Sequence, residues 1–329
     1  MSAGASLVFA LPKPDITAWR AGNTGTEGVW QFDSGQSGRH VMISALVHGN
    51  ELCGAWAIQG LLEAGIRPQR GALTLALCNL AAFDRFDALD HDSARFVDED
   101  LNRQWLIERM HSAGTQERVR AAALRPFVEQ ADWLLDLHSM HERAAPLLLT
   151  GMQPRNLALA RALRAPQHVV IDAGHQDGVR MRDFGRFGLP DALSPDTRSL
   201  LIECGFHGDL SSRAVAQDLC LRVLVEAGTL QADTAQVVLP GWRQPDAPHQ
   251  WALQVTGAVV ARSQRLRFTQ AFQGLELVEK AGSVIGHHEG EGMGEPIVTP
   301  YDDCVLVMPS VRQARAGVTV VRFAQRRML

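Results

Sequence analysis

A chain of 329 residues, 46% apolar and 21% charged, can bury a large core and is no disordered tail. Basic and acidic side chains nearly balance at a net charge of −4, which removes the cationic excess that tracks nucleic acid or an anionic membrane surface. All but Lys13 and Lys280 of the basic residues are arginines, a bias that makes any single arginine weak support for binding.

The apolar stretch Leu7 to Leu11 is too short for a signal sequence, and no run approaches the ~20 residues of a membrane helix. From Arg39 to about Leu230, short aliphatic runs alternate with amphipathic stretches, the pattern of an α/β layered domain. Strands are predicted at His40 to Val47, Ala72 to Leu77, Trp133 to Leu137, His168 to Ile171 and Leu200 to Ile202. Helices are predicted at Leu52 to Glu63, Gln116 to Gln130, Arg155 to Leu163 and Ser211 to Ala227. Nearly all-apolar strands suit a sheet covered on both faces. After Leu230 no helical period is evident, and Pro240, Pro245 and Pro248 read as a linker. Beyond it, short runs at Leu253 to Val260, Arg265 to Ala271, Leu275 to Val278, Ile297 to Val298, Cys304 to Met308 and Val318 to Phe323 predict a smaller all-β domain. The expected division is 1–238 and 239–329. Cys53, Cys78, Cys204, Cys220 and Cys304 make an odd count without a Cys-x-x-Cys pair, so neither a disulfide framework nor a thiolate metal site is expected, and a reducing cytoplasm fits.

The chemistry gathers where predicted strands end. His48-Gly49-Asn50-Glu51 joins the first of them to a helix, and a His and a Glu three apart can aim one nitrogen and one carboxylate at a common centre, with Gly49 easing the turn. Such N and O donors are what zinc takes, and a catalytic site needs three of them. A third is offered by His138 at the end of the strand Trp133 to Leu137, with His141 and Glu142 as competitors already in the loop. Asp136 lies on the same strand face as His138, where it could orient an imidazole or touch substrate. In Arg95 to Arg103, Asn102 with Arg103 would clamp a carboxylate, and Asp98 and Asp100 could steady the guanidinium groups. Glu203 ends an apolar strand, where a carboxylate is costly unless paired or used, and is a candidate general base.

Taken together, His48-Gly49-Asn50-Glu51, the stretch Arg95 to Arg103 (RFVDEDLNR), Asp136-Leu137-His138 and Glu203-Cys204-Gly205 resemble the succinylglutamate desuccinylase and aspartoacylase family, relatives of the zinc carboxypeptidases. Order and spacing fit across about residues 40 to 207. The resemblance implies a mixed sheet flanked by helices, with a smaller C-terminal all-β domain. It implies one zinc per chain held by His48, Glu51 and His138, with Glu203 taking a proton from the attacking water, Arg95 stabilising the oxyanion, and Asn102 with Arg103 gripping a substrate carboxylate. The activity implied is hydrolysis of an N-acyl amino acid or a similar carboxylate-bearing amide, with no nucleic-acid or membrane partner; a homo-oligomer is compatible with it.

Two departures leave the acyl group and amine open. The only tyrosine, Tyr301, sits in a Pro-Tyr-Asp-Asp turn, whereas some members bring a tyrosine into the pocket from the C-terminal domain. Cys204-Gly205-Phe206-His207 replaces the Pro-containing continuation of aspartoacylases proper. Arg180, Arg182, Arg186 and Arg198 are candidates for reading a second anionic group. The glycines 290, 292 and 294 stand among glutamates and read as a turn rather than a phosphate loop; His287 and His288 read as surface residues. No Gly-x-Ser-x-Gly elbow is present. A carboxypeptidase-like peptidase using the same residues, and a catalytically silent binding protein of the same fold, are the alternatives.

Overall fold

The computed structural model describes residues 9–112, 114–174, 177–288, 294–312 and 314–329. Eleven of its strands form one sheet. In chain order the strands are β1 Val29–Asp33, β2 His40–Ala45, β3 Ala72–Leu77, β4 Trp133–Met140, β5 Leu147–Leu149, β6 His168–Ile171, β7 Arg198–Phe206, β8 Trp251–Val260, β9 Leu266–Phe268, β10 Glu276–Val278, β11 Val284–His288, β12 Glu295–Val298, β13 Cys304–Val307 and β14 Thr319–Met328. The large sheet runs β1-β3-β2-β4-β7-β5-β6-β8-β14-β13-β10, and β12-β11-β9 forms a second, small sheet. Pairing is parallel along β3-β2-β4-β7 and β5-β6-β8, and antiparallel at β1-β3, at β5-β7 and from β8 outward, so the sheet is mixed.

The helices are α1 Leu52–Glu63, α2 Leu80–Asp84, α3 Ile107–His111, α4 Gln116–Gln130, α5 Pro154–Leu163, α6 Leu210–Glu226 and α7 Ala232–Val238. Strand alternation decides what each face meets. Val41, Ile43 and Ala45 of β2, Leu135 and Leu137 of β4, and Leu200, Ile202 and Cys204 of β7 join one core cluster with α1, α5 and α6. Met42 and Leu134 point the other way, into a cluster with Leu124 and Val128 of α4. Burying each such aliphatic side chain contributes roughly 1.5–3 kcal/mol. The same alternation sends Asp136, His138 and Glu203 to the face away from α1 and α6.

Several elements differ from expectation. β1 and β5 were not predicted: β1 is a half-polar edge strand and β5 has only three residues. Ala232–Val238 forms a helix where only a linker was expected before Pro240. Strands β4 and β7 run on to Met140 and Phe206, so His138 and Glu203 lie within strands rather than beyond their ends. His287 and His288, half-buried, belong to β11. Of the glycine-rich stretch, Gly290 and Gly292, with Glu289 and Glu291, lie outside the described residues. The sheet continues from the N-terminal part into the C-terminal part through β6 and β8, in register from His168 opposite Trp251 to Ile171 opposite Gln254.

Candidate metal centre and active site

β2 leads through Leu46, whose φ of 55° is uncommon for a side-chain-bearing residue, to His48. Gly49 is required for close approach rather than for turning: a Cβ there would stand 2.4 Å from backbone atoms of Ala82 and Phe83, and its φ is not left-handed. Glu51 then sits at the cap of α1.

His48, Glu51 and His138 converge, with their ligand atoms all within 4.8 Å of one another, and all three are buried. His48 Nδ1 lies 2.7 Å from Glu51 Oε1, and His138 Nδ1 lies 2.9 Å from Glu51 Oε2. The far nitrogen of each imidazole meets a different carboxylate: His48 Nε2 to Asp100 Oδ1 at 2.9 Å, and His138 Nε2 to Asp136 Oδ2 at 2.8 Å. Asp136 is fully buried, also takes a 2.8 Å hydrogen bond from Ser44, and is not among the residues that line the cavity. Burial alone would raise the pKa of Glu51, but His48 and His138 pull it well below the carboxylate range. Burial opposes protonation of His138, yet Asp136 and Glu51 hold its pKa well above the ordinary value.

Three carboxylates, Glu51, Asp100 and Asp136, stand around the two imidazoles, and the Arg95 guanidinium reaches two of them. Arg95 stands 3.3 Å from Glu51 and 3.2 Å from Asp100. A buried set this acidic calls for further positive charge between the imidazoles, and a divalent cation on two nitrogens and a carboxylate supplies it; imidazoles braced by outer carboxylates are the usual support of such an ion. Glu203 faces the centre from β7. Its Oε2 is buried with no hydrogen-bond partner among the described residues. Burial, with Glu51 beside it, pushes its carboxyl well above the usual range. The residues present fit a zinc ion.

These groups line a cavity of about 290 Å³. Arg103 reaches it, held by Asp177 at 3.0 Å and by the Asn102 carbonyl at 3.0 Å. Asn102 is also at the wall, its Oδ1 accepting from the backbone N–H of Met181 at 3.0 Å. Of the four arginines considered for a second anion, Arg180 alone lines the cavity, in a paired geometry with Asp172 at 3.0 Å on both arms. Arg182 hydrogen-bonds Thr150 and Ser199, Arg186 the Ala131 carbonyl, and Arg198 its neighbours' carbonyls. The contact found for the Asp98 carboxylate is not the expected guanidinium but the first N–H of α4, at Gln116, which it accepts at 2.9 Å. His141 is held by Asp92 at 3.0 Å, and Glu142 pairs with Arg312 at 3.1 Å. Tyr301 does not line the cavity; its hydroxyl meets Thr256 at 2.7 Å.

Some contributors had no sequence signal. Fully buried Glu117 of α4 accepts the N–H groups of Val97, Asp98 and Glu99 at 2.7–3.1 Å, pinning the loop that carries Arg95 and Arg103. From the C-terminal part, Ala258, Val260, Met308, Arg315 and Arg322 form one wall of the cavity.

Residues 37–190 match the model of the succinylglutamate desuccinylase/aspartoacylase catalytic domain. The resemblance read from the sequence motifs is therefore borne out over that segment. No curated protein matches it by sequence. Among solved structures it is similar to succinylglutamate desuccinylase from Vibrio cholerae (TM-score 0.67, 15% identity, covering 92% of this chain and 86% of that one). It also resembles a succinylglutamate desuccinylase/aspartoacylase from Rhodobacter sphaeroides (TM-score 0.62, 19% identity, 89% and 87% covered). A third is a product-bound ectoine utilization protein from Ruegeria pomeroyi (TM-score 0.60, 17% identity, 90% and 88% covered). At these identities the likeness to solved structures is one of fold, and it extends over the C-terminal part as well as the family domain.

Proposed function

We propose that this protein is a zinc-dependent amidohydrolase that removes an acyl group from an N-acyl amino acid or a related small amide. The observation that carries the reading is the convergence of His48, Glu51 and His138, each imidazole backed by its own aspartate, opposite the unpartnered oxygen of Glu203. His48, Glu51 and His138 would hold the ion. When bound, zinc supplies Lewis acidity and brings the pKa of water to ~7.

The chain's own groups do the rest. Glu203 takes a proton from the attacking water at its free Oε2 and returns it to the leaving amine nitrogen. Arg95 donates N–H groups toward the oxygen on which negative charge grows. Asn102 and Arg103 hold a substrate carboxylate, with Asp177 steadying the guanidinium. The catalytic part spans 1–238, and 239–329 walls the cavity. That wall supports a small substrate over the extended peptide of a carboxypeptidase, because Met308, Arg315 and Arg322 of the C-terminal part line the same cavity of about 290 Å³. An intact donor set and Glu203 speak against a silent binding protein. Five free, buried cysteines support a reducing compartment such as the cytoplasm as its location.

The test is elemental analysis of the purified protein followed by a hydrolysis screen over N-acyl amino acids. Stoichiometric zinc with release of free amino acid is expected. Absence of both would overturn the reading.

A further inference from the structure

We propose that His141 is a positioning residue for Arg95, holding that guanidinium aimed into the cavity while Asp92 and His207 fix the imidazole; this rests on the reading of the cavity as a hydrolytic site. The two histidines are residues that the family pattern leaves unused. His141 competed with His138 as a ligand in sequence, and His207 lies in the stretch that departs from the aspartoacylase continuation. In the fold they meet, with ring centroids 4.8 Å apart in an edge-on arrangement.

Proton inventory fixes the direction of every hydrogen bond in the group. Arginine only donates, so Nε2 of His141, 3.2 Å from Arg95, must be an acceptor. Nδ1 of His141 therefore carries the proton and donates to Asp92 Oδ1 at 3.0 Å. His207 Nε2 lies 3.3 Å from the same Nδ1 as a second acceptor, and His207 donates from its own Nδ1 to Ser139 Oγ at 2.8 Å. Both imidazoles are neutral in this arrangement. Burial holds His141 below its ordinary pKa against the pull of Asp92, and the charge of Arg95 adds to that; burial with His141 alongside does the same, more strongly, for His207. Asp92 is anchored in turn by Arg312 at 3.3 Å and flanked by His91 at 3.3 Å.

Neutrality is what makes His141 useful. Arg95 already faces Glu51 and Asp100, and a third carboxylate would quench the charge needed for a developing oxyanion. A neutral acceptor fixes the direction of the guanidinium and leaves its charge available.

The test compares zinc-loaded wild type, His141→Leu and His141→Gln, whose amide oxygen can stand near the place of Nε2, with 15N NMR of the wild-type imidazoles assigned by the signals lost in His141→Gln. The expected result is a fall in kcat of roughly 10-fold or more in His141→Leu, with KM within about 2-fold, zinc content unchanged and most of the rate restored in His141→Gln. NMR should find His141 neutral and protonated on Nδ1. An unchanged kcat in His141→Leu, loss of zinc, no restoration by glutamine, or a proton on Nε2 would each overturn the proposal. If wild type hydrolyses no N-acyl amino acid, the hydrolase reading fails by itself, and the NMR tautomer then upholds or overturns the Arg95–His141 contact on its own.

Discussion

His138 and Glu203 stand directly opposite each other in the adjacent parallel strands β4 and β7. One lateral step of the sheet, about 4.8 Å, thus separates the strand that carries a candidate metal ligand from the one that carries the candidate proton carrier. Neither depends on a loop for its placing. Such backbone-fixed geometry is what a proton transfer over one water length requires.

Replacing His48 or His138 by alanine should abolish stoichiometric zinc, because two protein ligands are too few to hold the ion against water, whereas His141→Ala should retain it. Asp136→Asn should weaken zinc affinity by roughly 10- to 100-fold, since the amide no longer braces His138 as a carboxylate does. Elemental analysis and chelator competition measure both. Zinc lost in His141→Ala but kept in His138→Ala would reverse the ligand assignment.

Glu203→Gln should keep zinc and lower turnover by about 100-fold or more, because an amide cannot carry the water's proton. The same variant should stabilise the metal-free protein. A carboxyl whose folded pKa is raised costs stability as pH climbs above its unfolded value of about 4.3, and glutamine removes that cost. Thermal melts of both proteins at pH 4 and pH 7 should therefore diverge toward neutrality. Equal melting points at pH 7 would contradict the electrostatic account, and near-normal turnover would contradict the role.

Arg103→Lys keeps the charge but loses the planar fork, so it should weaken hydrolysis of an N-acyl amino acid far more than of its C-terminal amide. Rates for both substrates in both proteins isolate the contact. An equal loss on the two would mean that Arg103 serves only to tie down the segment around Asp177.

Asp172→Asn should destabilise the fold by about 3 kcal/mol at neutral pH, the low end for breaking a buried pair, because Asp183 still holds the Nε of Arg180 at 2.6 Å. Burial would raise the pKa of Asp172, but Arg180 brings it below the ordinary value. Its contribution is therefore present above the unfolded pKa and disappears as pH falls through the folded one. Denaturant titrations at pH 7 and pH 2 should show the difference from wild type shrinking in acid; a constant difference would argue for a packing effect instead.

The donor set was legible because each of its residues sits on or beside a buried strand whose apolar pattern is unmistakable, and because His-x-x-Glu fixes its own local geometry. What was not legible depended on tertiary contact. Nothing near Glu117 marks it as the anchor of a loop about twenty positions earlier, and Asp92, His207 and Arg322 acquire meaning only from neighbours distant in sequence. Short or half-polar elements also escaped. β5 offers three residues, too few for a period, and α7 is a mostly exposed helix whose tertiary packing outweighs its weak pattern.

The parallel pairing of β6 with β8 makes the last ninety or so residues a guard for the N-terminal part. A chain stopped before Trp251 would leave β6 with a bare row of N–H and C=O groups along an apolar strand, the kind of rim that captures another copy. The two halves are joined by backbone as much as by side chains, and a nick in the proline-rich segment between them would leave them bound while a deletion would turn the remaining half into an aggregating species.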